Sequence, residues 1–144
     1  MTERTGLTHM TRRLFSVDLA NRMLPLVRRI VEDIVHTYAR WEERVRAAER
    51  AAVRARADSS ASEALALQCE IDALARDLDG FRAELTALGV QLVNHRRGQV
   101  DFPAELDGRP VLLCWQLGEA SVQYWHDVDA GFRSRQRLAP LPVG

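Results

Sequence analysis

Seven side chains in the C-terminal third carry groups that could act together: Asp101, Cys114, Trp115, Glu119, Tyr124, His126 and Arg135. An imidazole among carboxylates can move a proton, and aromatic rings with a guanidinium can wall and clamp a small anionic ligand. In that arrangement His126 is the acid/base or ligand-orienting group, Glu119 its carboxylate partner and Arg135 the anion clamp. The candidate ligand-binding set is Asp101, Trp115, Glu119, Tyr124, His126 and Arg135. A plainer reading competes with it. Trp115, Tyr124 and Trp125 are read first as cross-strand packing, the ordinary unit of sheet stability, and His126 as a residue bonded to backbone. Yet Tyr124-Trp125-His126-Asp127 ends a strand and leads into a loop, where binding groups tend to sit.

Metal and thiol chemistry draw on overlapping residues. Cys114, His126, His95 and a carboxylate from Asp101, Glu119, Asp127 or Asp129 hold suitable donor atoms. None shows the CxxC or HxxxH spacing by which structural zinc sites announce themselves, so no metal or other cofactor is expected. Cys114 lies within Leu112-Leu113-Cys114-Trp115, which reads as a small buried hydrophobe rather than a low-pKa nucleophile. Arg133, Arg135 and Arg137 alternate, as on one exposed strand face or a tie from the tail to an acidic helix, with an anion clamp as the less favoured alternative.

The elements that must position these groups are legible in the apolar spacing. Ser16 is a good N-cap, with Asp18 in the first turn. Pro25 then interrupts a helical pattern and predicts a kink or break, because proline cannot donate to the carbonyl of Asn21. From Met23 the apolar positions run Val27, Ile30, Val31, Ile34, Tyr38, Trp41, Val45, Ala48, Ala52 and Ala55, mostly in threes and fours. A second run, Ala64, Leu67, Ile71, Leu74, Leu78, Phe81, Leu85 and Leu88, keeps the same spacing. Both are coiled-coil seams. Asp58-Ser59-Ser60-Ala61-Ser62 offers a turn and a fresh cap, so the two helices fold back as a hairpin with arms roughly 40–50 Å long. His36 is read as a solvated flank.

Gly89 is a natural C′ residue for the second helix, and the pattern changes after it. Val90 to Val93, Val111 to Leu117 and Val122 to His126 read as strands, Asp101-Phe102-Pro103 as a bend, and Asp107-Gly108 as a tight turn. Gly118-Glu119-Ala120-Ser121 reads as a hairpin turn, which leaves two registers open. Pairing Leu117 with Val122 sets Trp115 against Tyr124 and Leu113 against His126. Pairing Leu117 with Ser121 sets Cys114 against Tyr124 and Leu112 against His126. The fold class is α+β: a long antiparallel helical hairpin, a coiled coil, with a small three-stranded antiparallel sheet packed at its base. The organisation is a tail over residues 1–13, a single domain over 14–138 and a tail over 139–144. Within the domain, helix 1 covers 16–57 with a kink near 25, helix 2 covers 61–88, and the β-rich unit covers 90–138.

Four segments resemble one family: Phe15 to Pro25, Val100-Asp101-Phe102-Pro103-Ala104, Leu113 to Glu119, and Tyr124 to Arg135. Together they are similar to the bacterial domain of unknown function 2203 family, over about Phe15 to Leu138. Arg137 departs from the pattern, standing where the family has proline. The resemblance implies the same helical-hairpin-plus-sheet layout and a bacterial or archaeal source. It implies no activity, and it directs attention to the C-terminal unit.

Composition narrows the classes. All twenty basic residues are arginine, which removes Schiff-base and P-loop lysine chemistry. Formal net charge is zero, and the Arg-rich end of the first helix faces an acidic second helix, so no nucleic-acid partner is expected. No uncharged run spans a membrane, and no secretory core follows Arg12-Arg13. Two cysteines form no disulfide framework, and a cytoplasmic location is expected. The function that follows is an interaction module, with the hairpin pairing with a second copy or a partner helix. The alternative is a small-ligand binder or enzyme using the cluster around His126, Glu119 and Arg135.

Overall fold

Ser16 opens the first helix as expected: its hydroxyl accepts from the N–H of Leu19 at 3.0 Å and its carbonyl from that of Ala20 at 2.9 Å. The structure, a computed structural model, describes residues 14–58 and 61–139. The expected tail over residues 1–13 lies outside them, as do Ser59 and Ser60 of the expected turn and residues 140–144 of the C-terminal tail. Helix α1 spans Val17–Asp58 and helix α2 spans Ala61–Leu88. Of the kink or break expected at Pro25, a break does not occur: α1 continues through it for 42 residues, about 63 Å at 1.5 Å per residue. Packing supplies the reason. Ala20, Leu24, Val27, Ile30, Val31 and Ile34 are all buried, so the apolar face holds the helix together across the lost hydrogen bond.

Gly89 ends α2 at φ +85°. The N–H of Val90 reaches the carbonyl of Leu85 at 3.0 Å and that of Gly89 the carbonyl of Thr86 at 2.9 Å, the double bond pattern of a Schellman cap. A sheet of five antiparallel strands follows in chain order: β1 Gln91–Asn94, β2 Gln99–Leu106, β3 Arg109–Gln116, β4 Tyr124–Asp127 and β5 Gln136–Arg137. The expectation of three strands omitted β2 and the two-residue β5. Asp101-Phe102-Pro103, expected as a bend, lies inside β2. Proline is tolerated there because its carbonyl points away from β3, accepting from the N–H of Phe15 at 2.7 Å. Its missing N–H is therefore on the same outer edge and interrupts no bond to β3. Phe15 closes that edge, with its ring 5.1 Å edge-to-face from Phe102.

Asp107 and Gly108 both have positive φ, +53° and +78°, the two-residue turn that suits a twisted hairpin. It sets Leu106 against Arg109 and, counting back, Asp101 against Cys114. Between β3 and β4 the second of the two registers holds: Cys114 faces Tyr124 and Leu112 faces His126. Gly98 (φ +68°) brings the β1–β2 turn against α1, where an added Cβ would lie 2.8 Å from Val31.

These registers give the sheet two unlike faces. Leu92, Val100, Phe102, Ala104, Val111, Leu113, Trp115 and Trp125 point to the helices and join Val27, Val31, Ile34, Leu78 and Leu85 in one core. Asp101, Cys114, Tyr124 and His126 point the other way. No helix among the described residues is long and apolar enough to cross a membrane.

Candidate functional site

Three adjacent strands converge on the outward face. Asp101 of β2 lies directly opposite Cys114 of β3, and His126 of β4 lies two residues along from Cys114's other neighbour, Tyr124. Asp101, Cys114 and His126 are exposed by only 7%, 1% and 3%, an unusual burial for polar groups on the side of a sheet away from its helices. His126 Nε2 lies 3.2 Å from Asp101 Oδ1, and Nδ1 lies 2.9 Å from the carbonyl oxygen of Asp127. A carbonyl only accepts, so Nδ1 carries a hydrogen and Nε2 is the nitrogen presented to the cluster. One proton is then shared between Nε2 and Oδ1. Burial pushes the Asp101 carboxyl above its usual range, against the opposing pull of His126.

Cys114 adds a sulfur to this pair: one donor atom from each of the three residues lies within 4.8 Å of the other two. Burial pushes its thiol up to about 11, with the Arg135 guanidinium pulling weakly the other way. His126 Nε2 lies in the cluster but is hydrogen-bonded to Asp101 rather than to the sulfur, so the imidazole is not set to deprotonate it. The arrangement is not that of a cysteine nucleophile with its base.

Arg135 covers the cluster. It follows a 3₁₀ turn over Phe132–Ser134, and its guanidinium carbon lies 3.9 Å from the Tyr124 ring centroid and 4.1 Å from that of Phe132. Nη2 donates to Glu119 Oε2 at 2.7 Å. Nη1 is buried without a hydrogen-bond partner among the described residues, although the guanidinium as a whole interacts with the Cys114 sulfur. Glu119 is itself held from below. Its Oε1 accepts from the N–H of Gln116 at 2.9 Å, and its carbonyl accepts from the Trp115 indole at 2.9 Å. Asn21 of α1 clamps the same loop, accepting from the Val122 N–H at 2.7 Å.

The structure thus brings together five of the six expected residues, in two linked pairs with Tyr124 between: Asp101 with His126, and Glu119 with Arg135. The expected pairing of Glu119 with His126 is corrected, because Asp101 takes that place. Trp115 lies on the inward face, fully buried in the core, and reaches the site only through the Glu119 carbonyl. His95 stands apart from Cys114 and His126, stacked on Tyr38 at 5.1 Å. Arg133, Arg135 and Arg137 do not share one strand face, since Arg133 falls in the 3₁₀ turn and only Arg137 is in β5. Phe132 joins the site through its ring against Arg135, and no spacing or motif in the sequence marks it. A groove of about 890 Å³ opens elsewhere, between Val17, Leu106, Arg109, Trp125 and Leu138, and contains none of these groups. Cys69 is exposed on α2, so the two cysteines form no disulfide.

No curated protein and no solved structure matches the chain. Residues 13–138 match the family model described as uncharacterized conserved protein (DUF2203), and that span of nearly the whole chain places it in this family.

Proposed function

We propose that the chain is a self-associating coiled-coil module, in which the distal half of the hairpin pairs with the same region of a second copy. The observation that carries this reading is how far the hairpin extends past the sheet. The core shared by helices and strands ends near Ile34 and Trp41 on α1 and begins at Leu78 on α2. Beyond it, Ala51, Leu67, Ile71 and Leu74 are buried between two helices alone. From Trp41 to Asp58 this bare arm is about 25 Å long. Two helices with no third layer bury a single stripe each, and Val53 and Leu65 remain about two-thirds exposed.

Charge selects the occupant. Residues 40–56 hold six arginines against three glutamates, and residues 61–88 hold six carboxylates against two arginines. Within the chain, Arg44 pairs with Glu70 and Arg54 with Glu63. Arg40, Arg50, Asp77 and Glu84 have no ion pair among the described residues, and Arg46 has only a longer-range attraction to Glu42. Two copies related by a two-fold axis would set the basic arm of each against the acidic arm of the other.

Sedimentation velocity tests this. The wild-type chain is expected to run as a dimer at low salt and to loosen as salt rises. Arg46→Glu with Arg50→Glu, or Asp72→Arg with Asp77→Arg, should each give monomers, and mixing the two variants should restore a dimer. A wild-type chain that stays monomeric at high concentration and low salt overturns the reading.

A further inference from the structure

We infer that Asp101, Cys114 and His126 form a binding site for one divalent transition-metal ion of the zinc class. Four observations converge on it, and none depends on self-association. The first is geometric. Donors around a four-coordinate zinc ion at about 2.0–2.3 Å lie about 3.3–3.8 Å apart. The Asp101–His126 pair already stands at 3.2 Å, and the sulfur lies within 4.8 Å of both, so small rotamer changes close the set. The donors sit on three neighbouring strands, which hold such distances better than loops do.

The second is orientation. Imidazole ligands usually donate their other ring N–H to a carbonyl or carboxylate, which fixes the tautomer and aims the free nitrogen at the metal. His126 has that arrangement, with Nδ1 on the Asp127 carbonyl and Nε2 facing the cluster. The third is the donor set. Sulfur and imidazole nitrogen favour zinc-like ions over magnesium and calcium, which take oxygen. The fourth is charge. Binding releases to solvent the thiol proton of Cys114 and the proton between Nε2 and Oδ1, and the resulting thiolate, carboxylate and neutral imidazole around a doubly charged ion sum to zero, so the metal can be buried without a further counter-ion. Glu119 and Arg135 cancel beside it.

Arg135 then has a defined part. Its guanidinium lies over the ring of Tyr124, the residue opposite Cys114, and its positive charge beside the site would favour a metal-bound thiolate. Its unpartnered Nη1 would gain an acceptor from the water or small anion that fills the ion's fourth position.

The test uses the full chain, stripped with a chelator and titrated with Co²⁺ alone, then with Zn²⁺. One Co²⁺ per chain should bind, with a thiolate-to-cobalt charge-transfer band and the strong visible bands of a four-coordinate site, and Zn²⁺ should bleach both. Cys69→Ser should keep the charge-transfer band and Cys114→Ser should lose it. His126→Gln and Asp101→Asn should each weaken Zn²⁺ binding by more than the ~10–100-fold typical of an outer hydrogen-bond partner. Zn²⁺ should raise the unfolding temperature of the wild type and of Cys69→Ser, and leave that of the three ligand variants unmoved. No stoichiometric Co²⁺ binding by the wild type, or a charge-transfer band that persists in Cys114→Ser, overturns the site. Should Cys114→Ser fail to fold by circular dichroism, the wild-type cobalt spectrum and the zinc affinity of Asp101→Asn decide the matter alone.

Discussion

The two faces of the sheet are built from the same strands and obey different rules. On β3, Val111, Leu113 and Trp115 point inward and are at most 2% exposed, while Leu112, Cys114 and Gln116 alternate with them and point outward. The inward set is what burial against two helices demands, and any apolar residues of similar volume would serve. The outward set has no such explanation. Burying a carboxyl, an imidazole and a guanidinium contributes little net stability, and apolar replacements often do as well. The inward face accounts for the fold. The outward face has a composition that folding does not require, and for that reason it is the better place to look for chemistry.

The largest expected difference between the faces comes from Phe102 on β2, which is fully buried and touches Phe15 edge-on. Phe102→Ala should cost about 3–5 kcal/mol in denaturant unfolding, through lost burial and the cavity left behind. A loss under about 1 kcal/mol would mean that the inward face is not the source of stability, and the contrast would fail.

The next effect is on the outward face, measured with chelator present. His126→Leu leaves Asp101 buried and without its partner, and should cost about 1–3 kcal/mol. Asp101→Val should cost a similar amount for the converse reason. The double variant should recover most of the loss, since removing both partners removes the desolvation penalty as well. The Asp127 carbonyl keeps a partner throughout, because the N–H of Ala130 donates to it at 3.0 Å. Additive losses would show that the two side chains stabilise the fold independently of one another rather than as a pair, making the outward face structural like the inward one.

How much of this was legible in the chain differs by face as well. Helix positions, the Gly89 cap and the Asp107-Gly108 turn follow from local spacing, and the structure has them where local spacing puts them. Strand β2 is not legible in the sequence, because Phe102-Pro103 resembles a bend. Only the edge position, with Phe15 rather than a further strand beside it, makes proline acceptable there. Without β2 the site stays hidden. Once β2 is a strand, the two-residue turn at 107 and 108 sets Asp101 against Cys114, and the thiol joins the imidazole's carboxylate. The partner of His126 is 25 residues away in the chain, so nothing short of the register could name it. Register between β3 and β4 is equally non-local, since Asn21 on α1 holds the loop that sets it.

The smallest effect concerns an imidazole on the helix side. His95 stacks on Tyr38 of α1, and burial together with the nearby Arg82 charge holds its pKa below the usual value of 6.5. Such a histidine is easier to protonate in the unfolded chain than in the folded one. Its contribution is therefore fully present above about pH 6.5 and is lost as pH falls from there through the depressed folded value. His95→Phe keeps the stacking and removes the titration. Unfolding midpoints measured from pH 7.5 down to pH 5 should fall less steeply for that variant than for the wild type. Parallel curves would mean that His95 is not an acid-sensitive group of the helix side.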